Sequence, residues 1–356
     1  MKIVQMLPSL AYGDAVGNDV LALRDALLSA GYTTEIYANF IDERLPKGIA
    51  KNIDKYKDSA KNILIFHLAI GSDLNPFLKN VKAKIIIIYH NITPPEFWKN
   101  YNYDAEELCR RGLEEAEELA EVPELCFADS EFNKNDLIKM GYQCPIEVLP
   151  ILIAFEDYRK EPNKNIINKF KDNEFINIIF TGRIVPNKKQ EDIITSFYYY
   201  KNYINPKSRL FIIGSHNQND VYYHKLKNYV EELELEDVYF TGHIKFDEIL
   251  AYYQIADVFL CLSEHEGFCV PLVEAMYFNV PIIAYESSAV GETLGGSGFL
   301  LKEKDPKIVA EAIHRVVSDQ ALRDVIVENE KIRLKYFDNI QIKEQFLIYL
   351  REYFGL

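Results

Sequence analysis

The stretch from Ala256 to Met276 leaves this chain few ways to fold. Ala256 to Leu262 is an apolar run with the length of a buried strand. It ends in polar residues and a glycine, S-E-H-E-G-F-C, and a helical pattern begins near Pro271, where a missing N–H costs little in the first turn. The order strand, loop, helix predicts one β–α unit of an α/β sheet, and the N–H groups at such a helix start can hold an anion. Glu266 lies in the loop and Glu274 about one turn inside the helix. Two carboxylates beside a phosphate site make sense for a ligand with phosphates and hydroxyls: N–H groups take the phosphates, and the carboxylates accept from sugar hydroxyls. The plainer reading is two acids that complement a helix dipole.

The same alternation runs through the chain. Lys2 to Leu7 reads as a strand, the following segment to Gly31 as a helix with a glycine C-cap, and Tyr32 to Ala38 as a second strand. The first turn holds Gly13 and Gly17, a place for phosphate contact, although the spacing is not G-x-G-x-x-G. Glu35 is therefore not read as the ribose-binding acid of a dehydrogenase. The alternative for Gly17 is tight packing of helix on strand. Asn62 to Leu68 and Ala83 to His90 are further strands, the second ending in H-N-I-T-P-P. His90 stands at a strand's carboxyl end, where open α/β sheets bind ligands; otherwise it is a surface or satisfied core histidine. Asp104 to Glu121 reads as an acidic helix with Leu108, Leu113, Ala116 and Leu119 on its apolar stripe. Leu125 to Asp129 is a strand, Ser130 an N-cap, and Ile146 to Ile153 a last strand of this half.

Glu156 to Glu174 is charged, carries Pro162, and reads as an interdomain region with a short helix. A second α/β series opens with Phe175 to Thr181, followed by G-R-I-V-P-N-K-K. Arg183 and Lys188 are two cations at a strand's carboxyl end, the chemistry a leaving diphosphate requires. Arg209 to Gly214 is the next strand; His216 in the loop S-H-N-Q-N-D could approach the ligand, with loop solvation the plainer reading. Tyr222 to Leu233 is a helix, Val238 to Thr241 a strand and Gly242 to Ile244 a turn, and a helix then leads to the opening motif. Beyond it come a strand, V-P-I-I-A-Y, and an amphipathic helix from Asp305 to Ser318. The rest is helical to Leu356.

The string E-H-E-G-F-C-V-P-L-V-E-A-M resembles the signature of retaining glycosyltransferases of family 4, two glutamates with seven residues between them. G-R-x-x-x-x-K at 182–188, G-H-I at 242–244 and H-N-I-T-P-P resemble further elements of that family. One departure is Gly291, where the family usually has a proline before Glu292. The resemblance implies the GT-B architecture, two Rossmann-like doubly wound domains facing across a cleft that holds the donor. Residues 1–155 would form the acceptor-side domain and 156–335 the donor-side domain. Residues 336–356 would form a helix crossing back, with Tyr349, Tyr353 and Phe354 for the contact or for ordinary core packing. The implied donor is a nucleotide-diphospho-sugar, UDP favoured over GDP, with no other cofactor and no metal. The resemblance implies that Glu266 faces the sugar, Glu274 binds the ribose, and Arg183 and Lys188 take the diphosphate. Ile244 would lie along the base, the N–H groups of Gly267, Phe268, Cys269 and Val270 would help, and Gly17 and His90 would serve the donor from the first domain. Glu266, His90, Arg183 and Lys188 are the catalytic set.

A formal charge of −14 argues against a broad nucleic-acid-binding surface and leaves at most peripheral membrane contact. No run of about 18 apolar residues suggests a transmembrane helix. Cys109, Cys126, Cys144, Cys261 and Cys269 are odd in number, with no C-x-x-C pair, which points to a reduced, cytoplasmic protein without a zinc site. Cys269 reads as structural. The acceptor, whether glycan, lipid-linked or small-molecule, is not encoded in any motif. Two rival classes remain: another GT-B enzyme, such as a sugar phosphorylase or epimerase, and a non-catalytic sugar-nucleotide-binding subunit.

Overall fold

Apolar runs bounded by polar turns fold here into two parallel sheets, each belonging to its own unit. The computed structural model describes residues 1–171, 174–217 and 219–356. Asp172 and Asn173 of the expected interdomain region, and Gln218 of the loop after Gly214, lie outside the described residues. One unit comprises Met1–Glu96, Asp104–Ala154 and Phe337–Leu356; the other comprises Phe97–Tyr103 and Phe155–Tyr336. Segment 97–103, assigned by sequence to residues 1–155, therefore groups with the second unit. Tyr101 sets its ring edge-on against Tyr222 and accepts a 2.8 Å bond from Lys225 Nζ.

In the first unit the chain runs β1 (Ile3–Leu10), α1 (Ala15–Ser29), β2 (Thr34–Ile41), β3 (Lys51–Asn52), β4 (Ile63–Leu68), α2 (Leu74–Phe77) and β5 (Lys84–Tyr89). It continues with α3 (Tyr103–Glu118), β6 (Leu125–Ala128), α4 (Glu131–Lys139) and β7 (Ile146–Val148). The strand order is β3-β2-β1-β4-β5-β6-β7, all parallel. A sheet covered on both faces needs strands that are apolar on both faces, which is why β4 and β5 read as nearly unbroken apolar runs. The last strand stops at Val148, short of the expected Ile153. Leu152 N–H donates instead to Asp19 Oδ1 at 2.8 Å, and Asn339 brackets Ile153, so a side chain on each side does the work of a neighbouring strand.

The buried stripe of α3 and its end keeps the expected Ala116 and Leu119 but not Leu108. Leu108 is 38% exposed, while Cys109, Gly112 and Ala116 face inward. The loop after β4 comes so close that a Cβ on Gly112 would stand 2.5 Å from Gly71 N, so the helix must present its small residues there.

The second unit runs α5 (Lys164–Phe170), β8 (Ile176–Thr181), α6 (Gln190–Tyr203), β9 (Ser208–Ile213), α7 (Val221–Glu232), β10 (Val238–Gly242), α8 (Phe246–Ile255) and β11 (Val258–Cys261). It closes with α9 (Val270–Tyr277), β12 (Ile282–Tyr285), α10 (Val290–Leu294), β13 (Phe299–Leu301), α11 (Pro306–Ser318) and α12 (Gln320–Leu334). Its parallel sheet has the order β10-β9-β8-β11-β12-β13. The chain then returns to the first unit as α13 (Asn339–Phe354), capped by Asp338. Ile342, Phe346 and Leu350, spaced four apart, bury one face among Leu23, Leu27 and Phe127. Tyr349 packs on Phe127, and Tyr353 donates to Glu147 Oε1 at 2.7 Å.

Both sheets reverse their winding once, between β1 and β4 in the first unit and between β8 and β11 in the second. Ligands of open α/β sheets bind outside the carboxyl ends of the strands at such a reversal.

Glu330 on α12 is fully buried; Oε1 accepts Ile282 N–H at 2.9 Å, and Oε2 has no partner. Burial pushes its carboxyl from 4.5 up to about 8. The folded chain therefore keeps a proton that the unfolded chain has lost, and this contribution to stability is complete below about 4.5 and lost as pH rises through 8. Glu330→Gln is expected to stabilise the protein at pH 8 by roughly 2–4 kcal/mol and far less at pH 5. Urea midpoints at the two pH values check this, and an equal change at both would contradict it.

Candidate active site

In the second unit the winding reversal brings together the loops that leave β8 and β11. The first carries Arg183 and Lys188, the second Ser263 to Cys269. They are joined at several points: Glu264 N–H donates to Asn187 O and Asn187 Nδ2 to His265 O, both at 2.9 Å. Lys304 bonds both Asp192 and Glu264 at 2.6 Å. Lys188 Nζ is ion-paired with Glu266, whose carboxylate is 7% exposed. Burial alone would pull the Lys188 ammonium down; the Glu266 carboxylate outweighs it and the net displacement is upward, so the lysine stays charged. An ammonium has three donors, which leaves capacity for an oxyanion besides Glu266.

Arg183 is exposed and lines an open cavity of ≈ 690 Å³ together with Ile184, Ser215, His216 and Asn217. Two glycines shape it. A Cβ on Gly214 would sit 1.8 Å from Gly182 O, so the ends of β8 and β9 approach as only glycine permits. Ile184 N–H then donates to Ser215 O at 3.1 Å, and Gln190 Nε2 to Arg183 O at 3.0 Å, fixing the arginine's backbone. His216 is stacked on Tyr223 with centroids 3.7 Å apart, and its Nδ1 is buried without a partner. Ile244 is half-buried just beyond Gly242, whose Cα neighbourhood meets the His216 ring.

Helix α9 starts as the sequence indicates, with Pro271 in its first turn and Cys269 before it at φ 73°, in the left-handed region. That turn is braced by Thr293, whose hydroxyl donates to Phe268 O, while Glu266 N–H donates to Ser288 Oγ at 2.7 Å. Gly267 is half-buried, and Phe268 and Cys269 are buried. The side-chain heads of Cys261, Glu266 and Cys269 lie within 4.8 Å of one another. Glu274 accepts from Tyr158 Oη at 2.9 Å and Tyr253 Oη at 2.8 Å, one on each oxygen. Burial raises its carboxyl, and the two tyrosine hydroxyls oppose the rise. Each oxygen keeps a lone pair for a further donor.

The reversal in the first unit holds Gly17 and His90. Gly17 lies in the first turn of α1, its N–H facing the capping Asp14, and a Cβ there would stand 2.6 Å from Ala11 O. Close packing of helix on loop accounts for this glycine, as the structural alternative had it. The His90 ring is 1% exposed, with Nδ1 2.9 Å from Asp129 Oδ2 and Nε2 2.8 Å from His67 Nδ1. Both nitrogens are occupied inside the unit, so the expected contact between this ring and a donor sugar does not fit the arrangement. Among the described residues no helix is long and apolar enough to cross a membrane.

The sequence model described as glycosyl transferases group 1 matches residues 160–333, nearly the whole second unit. The chain carries the group 1 glycosyl transferase domain. Its fold is GT-B. The chain is similar to sucrose-phosphate synthase from Thermosynechococcus elongatus, with a TM-score of 0.77 at 16% identity over 100% of both chains. It is also similar to Anabaena HepE solved in complex with UDP and glucose, with a TM-score of 0.74 at 17% identity over 99% of this chain and 100% of that one. Among sequence relatives, the capsular polysaccharide biosynthesis glycosyltransferase CapM of Staphylococcus aureus is 27% identical over 190 residues, 51% of this chain and 48% of CapM. The chain spans about half the length of the relatives it matches.

For a group 1 glycosyl transferase domain, the two loops at the β8/β11 reversal were legible from motifs. Tyr158 and Tyr253 were not, because each reaches Glu274 by tertiary contact from a segment without a motif of its own. Asp19 was also missed; it is 4% exposed, and burial pushes its carboxyl up to about 7. A buried acid one helical turn after a strand-end loop was the available signal.

Proposed function

We propose that the protein is a retaining glycosyltransferase that moves a sugar from a nucleotide-diphospho-sugar, UDP favoured over GDP, to an acceptor hydroxyl in glycan, glycolipid or polysaccharide synthesis. The observation that carries this is the charged Lys188 paired with Glu266 at the β8/β11 reversal, beside the Arg183 cavity. Arg183 and Lys188 neutralise the diphosphate as it leaves, without a metal. Gly267 to Val270 add backbone N–H groups, Glu274 accepts from a ribose hydroxyl between its two tyrosines, and Ile244 lies along the base. HepE was solved with UDP and glucose, which favours a uridine donor here.

In the transfer, the bond from the sugar's anomeric carbon to the phosphate oxygen breaks and the acceptor oxygen bonds on the same face. The acceptor's proton passes to the departing phosphate, and Glu266 orients the sugar. The scattered cysteines agree with work in a reducing cytoplasm. Thermal-shift screening with UDP, GDP, ADP and their sugars tests the proposal, since stabilisation grows with the logarithm of ligand over dissociation constant. UDP and a UDP-sugar are expected to raise the melting temperature most. No shift with any nucleotide, with sugar phosphate released from a glycan, would assign a phosphorylase instead. A shift without transfer or slow donor hydrolysis would assign a binding subunit.

A further inference from the structure

Cys126 and Cys144 meet at the edge of the first sheet, with their sulfurs 3.6 Å apart. The strands build this contact. Cys126 lies in β6, opposite Ile146 in the parallel register. Its N–H donates to Pro145 O at 2.9 Å, which holds the residue after Cys144 against the strand. Among the described residues no histidine, carboxylate or third cysteine joins the pair closely enough to complete a metal site.

The surroundings of the two thiols differ. Cys126 is fully buried, whereas Cys144 is half-buried between exposed Gln143 and Pro145. Burial, and after it the contact with Cys144, pushes the Cys126 thiol well up, so it keeps its proton. Cys126 S–H is therefore the donor and the Cys144 sulfur the acceptor. That bond is the largest influence on Cys144 and holds its thiol below the usual range, against partial burial and the Glu124 charge. A reachable, readily ionised thiol in contact with a second thiol is the arrangement that reversible cysteine oxidation requires. A disulfide bond is about 2.05 Å long, so the sulfurs have to close by about 1.5 Å. The movement falls to the weaker side of the contact: β7 has three residues, all half-buried, and is the last strand of the sheet.

We propose that Cys126 and Cys144 form an oxidation site for small hydroperoxides, with Cys144 the attacking thiol and Cys126 the resolving one. The Cys144 thiolate attacks a peroxide oxygen; an S–O bond forms, the O–O bond breaks, and the departing oxyanion takes a proton from water. The Cys126 sulfur then displaces the sulfenic oxygen, which leaves as water with the Cys126 proton. In sum, two thiols and one ROOH give one disulfide, one ROH and one water; sulfur is oxidised and the peroxide reduced. The new bond closes the segment that carries α4. Asn133 of α4 donates to Tyr89 O at 3.2 Å and accepts from Asn91 Nδ2 at 2.9 Å, so the cross-link also steadies the turn after β5. Closing such a loop stabilises the fold chiefly by constraining the unfolded chain.

The test is treatment of the full chain with hydrogen peroxide near neutral pH, followed by peptide mapping and thermal melting. In the wild type a Cys126–Cys144 disulfide should form and be reversed by dithiothreitol, and the oxidised chain should melt about 5 °C above the reduced one. Cys126→Ser removes the resolving thiol, and oxidation should stop at a sulfenic acid on Cys144 that dimedone traps. Cys144→Ser should leave Cys126 reduced and show no rise in melting temperature. A wild-type Cys144 that passes to sulfinic acid beside a reduced Cys126 overturns the proposal. So does a disulfide that lowers the melting temperature, or a Cys126 that oxidises as readily in Cys144→Ser. The wild-type map decides even if Cys126→Ser fails to fold.

Discussion

Arg183→Ala is expected to fold as well as the wild type and to turn over about 10²–10³-fold more slowly. The arginine is exposed, and its role in the fold is carried by its backbone, held by Gln190. Truncation of such a side chain changes stability by about 0.5 kcal/mol or less. The loss of rate is large because a guanidinium placed before the reaction starts does not need to reorganise when charge builds on the departing diphosphate. Steady-state kinetics with a donor sugar, beside a urea melt, separates the two effects. Normal turnover in a folded Arg183→Ala chain would remove the arginine from the leaving-group site.

Lys188→Ala is expected to lose both turnover and stability. Glu266 is buried and the Lys188 side chain is 19% exposed, so removal of the lysine leaves a buried carboxylate without compensation, which costs about 3–5 kcal/mol. The double variant Lys188→Ala with Glu266→Gln replaces that charge with a neutral amide. It should recover most of the stability and none of the activity. Rescue of both by the double variant would make the pair a structural element with no part in transfer, and the rate loss of the single variant a consequence of misfolding.

Much of the fold and the centre of the site could be read in the chain because they depend on local order. The β–α alternation, the apolar runs of β4 and β5, and the cap at Ser130 are written in adjacent residues. Glu266, Pro271 and Glu274 lie on one loop and its helix. What could not be read depends on approach between distant segments. Gly112 is inward on α3 because Gly71 comes to meet it, and no stripe of large apolar residues announces that. Residues 97–103 join the second unit through ring contacts to His265 and Tyr222. His90 was legible as a strand-end histidine, but its partners come from β4 and from the end of β6, and those partners occupy both of its ring nitrogens.

The central claim is that the second unit recognises a diphosphate through Arg183 and Lys188. Isothermal titration of a nucleoside against its own diphosphate, with the base that the thermal screen selects, isolates that term. The diphosphate is expected to bind at least about 100-fold more tightly than the nucleoside in the wild type, about 2.7 kcal/mol. Arg183→Ala is expected to abolish most of the advantage and leave nucleoside binding intact. Equal affinities in the wild type, or a full advantage retained in the variant, would contradict it.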